Sequence, residues 1–167
     1  MKGSTAKRTA FLGLVAALAA LMGYVEALIP IDFGIPGIKL GLCNIVIVIV
    51  LYFYSWKEAM LISTVRILII GFLFGNLFSI VYSTAGMLLS IFCMSILKKS
   101  GLFSEIGVSS AGGTAHNLGQ LCAACLIVKG IPFLGYAPLL MLSGCAAGCA
   151  IGFLAKILKR HLREVIS

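Results

Sequence analysis

The chain has 167 residues, of which 61% are hydrophobic and 11% charged, and its 13 Lys and Arg against 5 Asp and Glu give a net charge of +8. A soluble domain carries about 25% charged residues, so this composition excludes a water-soluble enzyme and points to a chain whose solvent is the bilayer. Apolar runs long enough to cross a hydrocarbon core of about 30 Å recur along the sequence. They predict an all-α polytopic protein in which residues 1–167 form a single domain of six transmembrane helices.

The N-terminal "MKGSTAKRTAFLGLVAALAAL" has the basic start and apolar core of a signal peptide, with "ALA" at 17–19 as a small-residue cleavage site. The apolar run continues past that site to Ile29, which favours a retained first span over Thr9–Ile29. Ala16 and Ala20, beside Gly13 and Ala17, give this span a smooth stripe that must be covered by another helix or by a partner membrane protein. The segment "LIPIDFGIPGIKLGLCN", with Pro30, Gly34, Pro36, Gly37 and Gly41, reads as an irregular external loop, either a lid or a plain connector. A second, short span follows over Leu40–Tyr54, then a third over Glu58–Phe74 and a fourth over Leu77–Leu97. The fifth, Ile106–Val128, carries the polar run "GGTAHNLGQLCAAC". The sixth, Phe133–Ile157, ends in the basic tail "KILKRHLREVIS".

Basic residues in short loops resist translocation and so set orientation. With the N-terminus inside, only Lys39 and Lys129 fall outside and Arg66 lies within a span; every other Lys and Arg is cytoplasmic. Both termini are therefore expected in the cytoplasm. The positive charge is then explained by anionic membrane lipid or a partner subunit, with no nucleic acid among the partners.

Polar groups at membrane depth are costly and need a partner or a water-filled cavity. Arg66 sits too deep in the third span to snorkel fully, and its insertion cost of about 3 kcal/mol calls for a counter-charge or an anionic ligand. His116 and Gln120 lie one turn apart, with Asn117 adjacent, so the three share a face of the fifth span. Gly112 and Gly113, one turn earlier, would admit a neighbouring backbone or a flat ligand. Topology places Glu26, Lys39, Asn44, Asn76 and Tyr82 in the outer half or the external loops, where they could line one cavity with Arg66, His116, Asn117 and Gln120. Arg66 suits a phosphate or carboxylate; His116, Asn117 and Gln120 suit a ring or a carbonyl. The plain alternative is that Arg66 pairs with Glu26 and that the amides bond across helices.

Cys122 and Cys125 form a CxxC, but no thioredoxin-like unit or zinc knuckle surrounds them. The repeat "GCAAGCAIG" places Gly144, Gly148 and Gly152 along one face of the sixth span, a signature of close helix approach. All six cysteines are accordingly read as small packing residues, and no metal or cofactor is expected.

The segments "PGIKLGLCN" (36–44), "RILIIGFLFGN" (66–76), "YSTAGMLLS" (82–90) and "GGTAHNLGQL" (112–121) resemble the hallmark segments of the bacterial heptaprenyl diphosphate synthase component I family, also called the Gx transporter family. That family is similar to the substrate-binding S components of energy-coupling factor (ECF) transporters. The resemblance implies a multi-pass protein of the bacterial plasma membrane with an S-component-like bundle, taking a small-molecule ligand from outside. It also implies partners, a transmembrane coupling subunit and ATPases, with Ala16 and Ala20 on the coupling surface. Some members are encoded beside flavin-based extracellular electron transfer components, which adds flavins and quinones as candidate ligands and a quinone-pathway role as an alternative. The synthase label implies a further alternative, an accessory subunit in polyprenyl diphosphate synthesis. Prenyl diphosphate synthases bind magnesium through aspartate-rich motifs, whereas the sole aspartate here is Asp32. No catalytic residue is therefore expected, and the protein is not expected to be an enzyme by itself.

Overall fold

The computed structural model describes residues 5–28, 41–128, 135 and 137–166. Lys2, Lys39, Lys129 and the expected external loop over residues 29–40, Asp32 included, lie outside the described residues. Six helices are present among the described residues: α1 (Thr5–Leu28), α2 (Leu42–Phe53), α3 (Trp56–Phe74), α4 (Leu77–Ser100), α5 (Glu105–Val128) and α6 (Ala137–Ile166). No strand occurs among the described residues.

Three of the helices are long and apolar enough to cross a membrane, over Arg8–Glu26, Leu77–Ser100 and Ala137–His161. The chain is thus a helical membrane protein by length and composition. The sixth apolar run extends beyond its expected end at Ile157, because the basic tail continues α6 to Ile166. The second run is shorter than a span. Its 12 residues reach about 18 Å at 1.5 Å per residue.

Local signals set the helix ends. Ser55 caps α3 by accepting from the Lys57 amide, and Asn76 with Ser79 forms a reciprocal capping box at α4. Gly101 closes α4 at φ 69°, a left-handed position that glycine takes without a Cβ penalty.

The order around the bundle is α1, α3, α4, α5, α6, α2, with α2 also touching α3. α2 is the most buried helix: Val46, Ile47, Val48, Val50 and Leu51 are all buried and none of its residues is exposed, as suits a uniformly apolar helix. The outer faces stay apolar. Leu14, Phe72, Leu77, Phe92, Leu126 and Leu142 are all exposed, which suits lipid as the solvent.

Glycine contacts bring α5 against both of its neighbours. A Cβ on Gly113 would stand 2.2 Å from the Gly144 carbonyl oxygen, one on Gly148 2.5 Å from that of Ser109, and one on Gly119 2.7 Å from that of Ala85. The stripe in "GCAAGCAIG" therefore packs on α5. The cysteines do not share this role as expected. Cys43 is buried, but Cys122, Cys145 and Cys149 are exposed; in α6 this is because Gly144 and Gly148 occupy the inward face and turn the cysteines that follow them outward. All six are free thiols, and no group of three or more His, Cys, Asp or Glu side chains gathers among the described residues.

At one end of the bundle basic side chains join all six helices. Arg8 of α1 pairs with Glu58 of α3 and lies 5.8 Å over the Tyr54 ring just after α2. Lys98 of α4 and Lys159 of α6 approach the Tyr52 ring of α2 at 5.2 and 4.4 Å. Lys98 also donates to the Leu51 carbonyl, and Lys159 pairs with Glu105 of α5 at 2.6 Å.

The hydrogen bond from Lys159, with one from the Glu105 backbone, holds the Glu105 carboxyl below the usual carboxylate range against the opposing effect of partial burial. A depressed folded-state pKa contributes stability that is present above the ordinary value of about 4.3 and lost as pH falls through the folded value. Glu105→Gln is expected to lower the melting temperature of the detergent-solubilised protein at pH 7 by about 2–4 °C, and by progressively less below pH about 4. Equal losses at pH 7 and pH 3 would contradict this.

Candidate functional site

Arg66 stands in the middle of α3, His116, Asn117 and Gln120 in the middle of α5, Glu26 near the end of α1, and Asn44 in the first turn of α2. The fold brings these residues together. All line one cavity of about 50 Å³, with Gly41 and Cys43 on the α2 side and Gly113, Gly144, Ala147, Gly148 and Ile151 completing the wall. Five helices thus contribute, and the small residues of α5 and α6 leave the space. α4 supplies backing: a Cβ on Gly86 would stand 2.8 Å from Gln120 Cγ and from the His116 carbonyl oxygen.

Two expected members do not join this cavity. Asn76 is occupied as the cap of α4, accepting from the Ser79 amide at 2.8 Å, and Tyr82 lies one turn along α4 with its ring 5.4 Å from that of Phe78. Lys39 lies outside the described residues.

Arg66 and Glu26 do not form the direct pair that the plain alternative to a cavity would require. Cys43 stands between them: Arg66 Nη1 donates to Cys43 Sγ at 2.8 Å, and Cys43 Sγ donates to Glu26 Oε2 at 3.8 Å. Glu26 Oε1 accepts from the Gly41 amide at 2.5 Å, where Gly41 takes the left-handed φ of 72°. A thiol is a weak acceptor, and a guanidinium carries five N–H donors. Arg66 Nε is buried with no hydrogen-bond partner among the described residues. The cation is therefore held in place but under-satisfied. A buried donor left in that state costs about 1–3 kcal/mol.

The α5 amides divide their work. Asn117 Nδ2 donates to the Leu140 carbonyl at 2.7 Å, tying α5 to α6 as a cross-helix bond should. Gln120 is buried at 7% exposure and, with His116, remains on the cavity wall. Cys43 is the residue that sequence reasoning missed. Its signal was its place beside Asn44 at the start of α2, but a cysteine in an apolar run looks like any small packing residue.

Small-molecule sites usually enclose about 300–1,000 Å³. The observed cavity admits a carboxylate or phosphate group or a few waters, and a tricyclic ring or a prenyl chain would enter only if the helices moved apart. It is a small polar cavity in an apolar bundle, lined by one cationic side chain, Arg66, and one carboxylate, Glu26.

No curated protein and no solved structure matches the chain. The family model for heptaprenyl diphosphate synthase component I matches residues 15–158, which takes in every cavity residue described above, and the chain belongs to that family.

Proposed function

We propose that the protein is a six-span solute-binding component of the bacterial plasma membrane, similar to the S components of ECF transporters. Its termini face the cytoplasm, and it takes a small anionic compound from outside for transfer inward with partner subunits. The observation that carries this reading is the under-satisfied Arg66 guanidinium on the wall of a polar cavity. Such a charge at membrane depth is expensive, and residues of this kind mark substrate pathways. The basic end of the bundle supports the orientation, since positive charge collects on the cytoplasmic side.

The coupling surface lies on α1. Ala16 packs inward against the core and Ala20 is half-buried, whereas Ala17 is exposed and Gly13 has open space around it. The Gly13–Ala17–Ala20 side is smooth enough for a second membrane subunit to approach closely. The chain has no Walker motif, so ATP hydrolysis would belong to partners.

A second reading, an accessory subunit in polyprenyl diphosphate synthesis, is favoured by the family's description. With a lone aspartate, Asp32, the metal-binding chemistry would have to come from another chain. Native mass spectrometry of the complex gently extracted from its own membrane separates the two. A small anion with a coupling subunit and ATPases supports the transporter reading; a soluble synthase subunit, with prenyl transfer that needs both chains, replaces it.

A further inference from the structure

A second and larger cavity opens at the basic end of the bundle. It is a groove of about 560 Å³ between α3 and α4, walled by Met60, Leu88, Ile91 and Phe92, within the size range of sites for small organic molecules. It runs along α4 from Leu88 to Lys99, roughly 16 Å at 1.5 Å per residue. The deep part is apolar and the mouth is cationic. Lys98 and Lys99 stand at its end, and Trp56 at the start of α3 faces them. Trp is the side chain that settles at the membrane–water boundary, so the groove begins at headgroup level and descends into the hydrocarbon. One turn below Lys99, Ser95 also lines the groove, and its Oγ is buried with no hydrogen-bond partner among the described residues.

We propose that this groove is a binding site for an anionic glycerophospholipid of the leaflet at the basic end. Its phosphate is held by Lys98 and Lys99, its ester region lies at the depth of Ser95, and one acyl chain lies along Leu88, Ile91 and Phe92. Charge complementarity and the graded polarity of the groove select this occupant. A zwitterionic lipid carries the same phosphate but offsets it with its own ammonium group and so brings no net negative charge to the two lysines, and a free phosphate would leave the apolar floor bare. The site is separate from the Arg66 cavity and does not depend on what that cavity binds.

Trp56 is the chain's single tryptophan and lines the groove while 47% exposed, so its fluorescence senses brominated lipid in the groove over a background from the micelle that is common to both lipids. The full chain in a neutral detergent is titrated with phosphatidylglycerol carrying brominated chains, and separately with brominated phosphatidylcholine. Phosphatidylglycerol is expected to quench Trp56 at a severalfold lower concentration. A lysine near the membrane surface contributes about 1 kcal/mol toward anionic lipid, so Lys99→Gln should weaken that preference roughly fivefold. Lys156→Gln, an exposed charge on α6 outside the groove, should leave it unchanged. In the unmodified protein, raising the salt concentration should also erase the preference, which tests the charge contribution without any substitution. Equal quenching by the two lipids, an equal effect of Lys156→Gln, or displacement of phosphatidylglycerol by a prenyl diphosphate at lower concentration would each overturn the assignment.

Discussion

Arg66→Met is expected to leave the empty protein at least as stable as the wild type while reducing retention of its anionic ligand by roughly 10- to 150-fold, the equivalent of one charged hydrogen bond at about 1.5–3 kcal/mol. Both effects follow from the same geometry. The guanidinium has a thiol for its Nη1, a buried Nε without a partner and no direct ion pair with Glu26, so the empty fold bears its desolvation with little return. If α3 spans the bilayer as proposed, placing such a charge at its centre costs about 3 kcal/mol, and an unbranched apolar side chain of similar reach removes that cost. Melting temperature in detergent and the amount of small anion carried through purification, counted by native mass spectrometry, are read on the same sample. Arg66→Lys keeps the charge but not the planar fork, and should fall between the two. A melting temperature several degrees lower in Arg66→Met would identify the residue as part of the scaffold and remove the main support for a binding cavity.

Gly113→Ala is expected to be among the most damaging single-methyl changes in the chain. The added Cβ would meet the Gly144 carbonyl oxygen at 2.2 Å, and that atom belongs to the backbone of α6, which cannot step aside as a side chain can. α5 and α6 must separate, at a cost of about 1–3 kcal/mol for overpacking, or roughly 2–10 °C in melting temperature. Separation also stretches the Asn117–Leu140 bond and distorts the cavity wall, so ligand retention should fall with stability, unlike in Arg66→Met. Gly13→Ala is the internal comparison. Nothing lies within 4 Å of its added methyl group, and alanine is the better helix former by about 1 kcal/mol, so the melting temperature should hold or rise. An unchanged melting temperature in Gly113→Ala would show that the two helices are not packed this closely.

Much of this was legible in the residues themselves. Apolar run length located every helix, because hydrocarbon leaves a backbone few other options, and the Gly144–Gly148–Gly152 repeat announced the contact face between α5 and α6. That Arg66, His116, Asn117 and Gln120 gather on one cavity was legible because charge and amide groups stand out against an apolar background. Depth alone was a poorer guide. Asn76 and Tyr82 lie at a plausible level, yet Asn76 is consumed as a helix cap and Tyr82 rests on Phe78, and neither fact can be read from hydropathy. The burial of α2 was also hidden, since an apolar helix surrounded by protein and one surrounded by lipid have the same composition. The role of Cys43 between Arg66 and Glu26 depends on three helices meeting, which no local pattern encodes.

The clasp of lysines, arginine, tyrosines and glutamates at the basic end has a mechanical consequence. Every helix is fastened there by ionic or ring contacts, through Arg8, Glu58, Tyr52, Lys98, Glu105 and Lys159. Among the described residues, the opposite end relies on lighter contacts such as the tilted ring contact of Tyr24 with Phe74 and the Glu26–Gly41 bond. A bundle gripped at its base fans open most cheaply at its rim, like fingers about a closed palm. The cavity lies between the two, so widening its mouth requires a small tilt of α1 or α2 about a fixed foot and no rearrangement of the base.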